Sequence, residues 1–278
     1  MKKFNFFHTH KSTQFFLMLF ICMTIIMSVM TGCDDEDSTE AKLFDAEQAL
    51  DDGNWAEALS ILTSMGTSEE VLQYLSNAYA GQVGVNTFDL LNTIDELDGD
   101  DSGSIDMIGK LIGAENDVLT CSTISEKLET ISNGIFSMKQ ISDLLHLTLD
   151  DDQTVQLGLA SLTRTVLIIA KLICIETDEI EIKMTKAWIS NYWDTHPGFE
   201  IEADTWTTVD ADFGESYEDM LNDDITNIAN AIVAMSDGND IKEDFDDFMS
   251  EIDNGQSGGT VDDNIISIGE LNSYLSSM

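Results

Sequence analysis

The chain has 278 residues, 43% of them hydrophobic, with 12 basic against 53 acidic side chains and a formal charge of −41. Such an imbalance excludes a nucleic-acid binder, which needs a basic footprint to displace phosphate counterions, and it disfavours rest on an anionic lipid surface. The hydrophobic share excludes a wholly disordered chain, and one proline (Pro197) amid frequent Leu, Ile, Ala, Met and Glu predicts an all-α fold.

Lys2, Lys3 and Lys11 precede an apolar run from Phe15 to Met30, which leads into Thr31-Gly32-Cys33 and then Asp34-Asp35-Glu36-Asp37. A basic start, an apolar centre and small residues ahead of a cut describe a secretory signal. Because the cut site ends in cysteine, Met30-Thr31-Gly32-Cys33 resembles the lipobox of bacterial lipoproteins, with Met30 where leucine is usual. The resemblance implies a signal peptide over 1–32, acyl chains on Cys33, and a body facing the periplasm or exterior of a bacterial envelope. Two or three acyl chains hold a protein on a bilayer stably. Asp34 resembles the inner-membrane retention signal of enterobacterial lipoproteins. The alternative is an uncleaved anchor, although 16 residues fall short of the roughly 20 that a span needs.

Residues 1–32 hold three of the basic residues and no acid, so the remainder carries nine basic and 53 acidic side chains, a formal charge of −44. Its length, about 245 residues, suffices for one or two domains with a real core. Cys22 lies in the signal and Cys33 is the lipid site. Cys121 and Cys174 remain, either as a disulfide in an oxidising envelope or as buried free thiols.

After an acidic tether over 33–40, Ala41–Asp51, Trp55–Met65, Ser68–Ala80 and Thr87–Leu97 read as four short helices with apolar residues three and four apart. The words Ala46-Glu47-Gln48-Ala49-Leu50-Asp51-Asp52-Gly53-Asn54-Trp55-Ala56-Glu57-Ala58-Leu59 resemble the turn and second helix of a tetratricopeptide (TPR) repeat. In that resemblance Gly53 is the turn glycine, Trp55 the aromatic, Ala58 the small packing residue and Leu62 the large one. Leu72, Leu75, Ser76 and Tyr79 match a following first helix. The resemblance implies TPR-like helical hairpins over 41–97, with the closing proline missing and the period short. An ordinary helical hairpin is the alternative.

The remainder, 98–278, reads as a larger helical bundle. Helical patterns run over Ile105–Ile112, Ile124–Leu149 and, capped by Asp150-Asp151-Asp152, Gln153–Glu176. The last is expected to be the central core helix, too short and too interrupted by Arg164 and Lys171 to span a membrane. Residues 194–214 show no helical period and predict a long surface excursion. Helices return at Glu215–Met235, Ile241–Ile252 and Ser267–Ser276.

Two acidic stretches raise calcium as a candidate cofactor. Asp98, Asp100, Ser102, Gly103, Ser104, Ile105 and Asp106 resemble the first nine positions of an EF-hand loop, but Gly109 stands where a bidentate glutamate closes it. A solvated acidic turn is the alternative. At the C-terminus the helix bearing Phe245, Phe248, Met249 and Ile252, an acidic glycine-rich loop, and Ile266–Leu271 also resemble an EF-hand. Glu270 would close that loop and Asp263 would be an earlier ligand. Gly259 and Val261 offer no side-chain oxygen, so Asp253 or Asp262 would have to be recruited.

Signs of catalysis fail. Gly255-Gln256-Ser257-Gly258-Gly259 lacks the strand before and helix after that a nucleophile elbow needs. The body has only His146 and His196, with no metal-spaced pair and no phosphate-binding loop. His146, amid leucines, is expected to be a packed helix residue. The sequence thus points to a non-catalytic, lipid-anchored scaffold or assembly subunit that binds a protein partner. A calcium-binding lipoprotein is a second reading. A helical solute-binding component of a transporter, with 194–214 lining its pocket, is a third.

Overall fold

In the computed structural model the helical periodicities become helices nearly where the sequence predicts them. It describes residues 38–85, 119–177, 181–182, 186–235, 240–253 and 263–277. Three quarters of these residues are helical, in ten helices with almost no strand, which makes the fold all-α. The helices are α1 (Thr39–Asp51), α2 (Trp55–Leu62), α3 (Glu69–Val83), α4 (Cys121–Asp143), α5 (Asp151–Thr177), α6 (Lys186–Thr195), α7 (Ala203–Thr207), α8 (Tyr217–Ala234), α9 (Asp240–Ile252) and α10 (Ile268–Ser277). A two-residue strand β1 (Leu119–Thr120) pairs antiparallel with β2 (Glu181–Ile182). The chain divides into a unit 1–44 and a unit 45–278, with α1 beginning in the first and ending in the second.

Helix ends follow local chemistry. Gly53 closes α1 with φ +71°, and the Asn54 amide donates to the Ala49 carbonyl at 2.7 Å while Gly53 donates to Leu50, the two bonds of a Schellman turn. The glycine is needed there because a Cβ disfavours that backbone region. At the head of α5, Asp150 Oδ1 accepts from the Gln153 amide at 2.8 Å and Gln153 Oε1 accepts from the Asp150 amide at 3.1 Å, a reciprocal capping box. Helix α4 stops at Asp143, short of the expected Leu149. His146 lies beyond it, exposed and at φ +55°, so it is a turn residue and not a packed helical one.

Helix α5 is the axis of the 45–278 unit. Its 27 residues are long and apolar enough to cross a membrane by length and composition, contrary to the sequence expectation, but 89% of its apolar window is buried inside the protein. Apolar residues surround it because its neighbours do: α8 packs along it most extensively, and α4 covers another side. Helix α8 approaches closely because Gly158 has no side chain; a Cβ there would lie 2.2 Å from that of Ala231. One turn on, Asn227 Nδ2 donates to Ser161 Oγ at 2.9 Å. A turn further, Arg164 grips Asp224 through Nε at 2.7 Å and Nη2 at 2.8 Å. Three residues of α5 at three-residue intervals thus face three of α8 in antiparallel order.

Arg164 is the chain's sole arginine, and Asp224 is fully buried. Burial pushes the Asp224 carboxyl up to about 6, against the opposing pull of the guanidinium. Cys121, the first residue of α4, is bonded to Cys174 in the last turns of α5, which resolves the sequence alternatives in favour of the disulfide.

The expected excursion 194–214 is only partly a surface loop. It holds the end of α6, the short α7 and a turn closed by a Val209–Ser216 bridge. Trp206 on α7 is 1% exposed and joins the main core with Ile201, so the segment is nailed down at its centre. Periodicity misses this because a five-residue helix shows little more than one turn of pattern.

Candidate functional site

Two concave surfaces stand out among the described residues. The first is a groove of about 270 Å³ where the turn after α2 meets α3 and α4; Leu62, Met65, Leu75 and Tyr79 face Phe136 and Gln140 across it. Its two helices come close at Gly134, where an added Cβ would lie 3.1 Å from that of Tyr79 and 3.2 Å from the Ser76 carbonyl oxygen. Lys127 donates to the Val83 carbonyl at 2.6 Å and so caps the α3 C-terminus from α4. Phe136 is 62% exposed at the rim, and Leu144, two turns along, is also exposed.

Of the residues matched to the TPR pattern in the sequence, Leu62, Leu72, Leu75 and Tyr79 line this groove. Ala58 and Leu62 are fully buried and Leu72 nearly so. The Trp55 indole lies flat on Gly81, where a Cβ would come within 2.4 Å of the ring. Gly81 as the seat of Trp55 is not legible from spacing, since the two are joined only by the packing of α2 on α3.

The second surface is a cleft of about 610 Å³ between the segment after α6 and one face of α10. Residues 198–203 form one wall, so part of the stretch singled out in the sequence does line a pocket. The Asn272 side chain pins that wall by accepting from the Ile201 amide at 2.8 Å and donating to the Ile201 carbonyl at 3.1 Å. Asn222 treats Ile266 the same way, accepting at 2.6 Å and donating at 3.4 Å. Neither asparagine carries a sequence signal, because each reads backbone 44 or more residues away.

The candidate calcium ligands fare differently. Cys33, Asp34, Asp98, Asp100, Ser102, Asp106 and Asp262 lie outside the described residues, as do Thr87–Leu97, Ile105–Ile112 and the Gly255–Gly259 stretch. Asp253 Oδ2 accepts from the Asn264 amide at 2.8 Å, and Asp263 Oδ1 from the Ile265 amide at 3.0 Å. Glu270 Oε2 accepts from the Ser267 amide at 2.9 Å and from its hydroxyl at 2.8 Å, while Ser267 Oγ accepts from the Glu270 amide at 3.3 Å. That is a capping box for α10, written in the sequence as Ser267-x-x-Glu270. Among the described residues no group of three or more His, Cys, Asp or Glu side chains could hold a metal ion. Glu270→Ala is expected to cost about 1 kcal/mol of stability by loss of the hydrogen bonds that its carboxylate accepts from Ser267. Equal losses in chelator and in millimolar calcium, read by thermal unfolding, are the expected result; a loss confined to calcium would make Glu270 a metal ligand.

No protein-family model, curated protein or solved structure matches the chain. The groove and the cleft must therefore be read from their own chemistry.

Proposed function

We propose that this protein is a non-catalytic, lipid-anchored envelope scaffold whose groove between α3 and α4 captures a protein partner. The observation that carries the reading is the groove itself: an apolar trough with Phe136 held out at its rim. Exposed aromatics beside a preformed apolar trough are the usual anchors of helix-in-groove recognition. The formal charge of −44 after residue 32 selects a partner segment that is amphipathic and basic on its flanks, and repels acidic ones. The lipobox-like Cys33 supports the anchor. A disulfide between Cys121 and Cys174 fits an oxidising compartment, where such bonds persist.

The test uses the full chain in the envelope, with a photo-crosslinking residue at Phe136, at Leu144 or at Val233, which is exposed on α8. One discrete adduct from the first two positions and none from Val233 is expected, weakening as salt rises. Leu75→Glu should abolish it. Adducts from all three positions alike would sink the groove reading. Cys33→Ser should release the protein from membranes; retention of that variant would sink the anchor.

A further inference from the structure

We propose that the cleft between the Gly198–Ala203 segment and α10 is a binding site for a small organic cation, an alkylammonium or quaternary amine. Its volume of about 610 Å³ lies within the range of small-molecule pockets. The wall is aromatic and rigidly set. Trp193 and Phe199 line it and meet edge to face at 4.7 Å. Phe199 is braced from behind by Tyr192 at 5.2 Å, which itself stacks on His196 at 4.1 Å. Aromatic surface of this kind attracts a poorly hydrated cation through the ring quadrupole.

The charge of the lining has one sign. Among the described residues Glu200 and Glu202 are its only ionisable side chains. A third carboxylate stands next to them, since Glu176 Oε1 accepts from the Glu202 amide at 3.2 Å. The α10 N-terminus also borders the cleft at Ile268 and Gly269, and a bare helix start would invite an anion. Here that start already carries the Glu270 carboxylate in its capping box, so a second negative charge is disfavoured. A hard cation such as calcium needs six to eight oxygens, and no group of three suitable side chains gathers among the described residues. A large, soft ammonium needs only the rings and one or two carboxylates.

The site is also preorganised. Asn272 fixes the Ile201 backbone from α10 in both directions, and Ile201 is 2% exposed, so the glutamates on either side of it are held at the mouth without a loop having to order on binding. This inference does not depend on the partner groove, which is built from α2, α3 and α4, and the two can fail separately.

Titration of the full chain with tetramethylammonium chloride, against sodium chloride at equal ionic strength, tests it by calorimetry and tryptophan fluorescence. Saturable binding of tetramethylammonium alone, with a 1:1 stoichiometry, is expected. Glu200→Gln with Glu202→Gln should weaken it about ten-fold or more, and Trp193→Leu likewise. The glutamines lie at exposed positions, so unchanged circular dichroism should accompany the loss. No binding beyond that of sodium would overturn the proposal. Undiminished binding by the double glutamine variant would overturn it too, by placing the cation elsewhere on the acidic surface.

Discussion

Arg164→Met should destabilise the protein by about 3–5 kcal/mol, the usual cost of breaking a fully buried ion pair from one side. The cost comes less from the attraction lost than from what remains: an Asp224 carboxylate with no solvent access, deprived of two charge-assisted hydrogen bonds. Replacing both partners, Arg164→Met with Asp224→Leu, removes the stranded charge and should recover most of the loss. Urea unfolding of the wild type, Arg164→Met, Asp224→Leu and the double variant forms a double-mutant cycle; additive losses would mean that the pair is not coupled.

The same pair sets a pH dependence. Burial holds the Asp224 carboxyl at about 6 in the folded protein, above its unfolded value of roughly 3.9. The stability linked to a raised carboxyl is complete below the unfolded pKa and is lost as pH climbs through the folded one. Removing the guanidinium takes away the opposing pull, so the folded pKa rises further in Arg164→Met. The gap in stability between variant and wild type should therefore be small near pH 5 and widen above pH 6. Carboxylates common to both proteins cancel from that difference. A gap independent of pH would show that Asp224 does not titrate with folding.

Reducing the Cys121–Cys174 bond, or replacing both cysteines by alanine, carries the second large effect. The bond joins residues 53 apart, and loop-closure entropy for a ring of that size gives a loss of about 4 kcal/mol. It ties the start of α4 to the end of α5, beside β1 and β2. Thermal unfolding with and without reductant reads it directly, with a mobility shift on a non-reducing gel as the control for the bond. Wild-type stability in the double alanine variant would mean that α4 and α5 hold one another without it.

Both effects arise from residues whose types were plain in the sequence and whose partners were not. In the sequence Arg164 reads only as an interruption of an apolar helix; its burial, where an unpaired cation is costly, and its acidic partner belong to the fold. Periodicity could not say which of 53 acids it was. Cys121 and Cys174 offered two chemically reasonable states, and only their meeting decides between them. Glu270 is the opposite case: Ser267-x-x-Glu270 is a helix-start signal whose two partners lie three residues apart, so local sequence suffices to read the cap.

The division follows from the range of the forces. Hydrophobic period, caps and turn glycines act over one to five residues, so sequence alone determined the all-α class, the helices α1 to α3, α5 and α8 to α10 within a few residues, the existence but not the C-terminal end of α4, the turn at Gly53 and the acidic surface. Tertiary structure alone decided what joins distant segments: Arg164 to Asp224 across 60 residues, Asn272 to Ile201 across 71, Trp55 to Gly81, and the two walls of the aromatic cleft. Those contacts exist only after burial of α5 has fixed the helices around it, because a side chain finds a distant partner only once the intervening chain has already given up its entropy to the core.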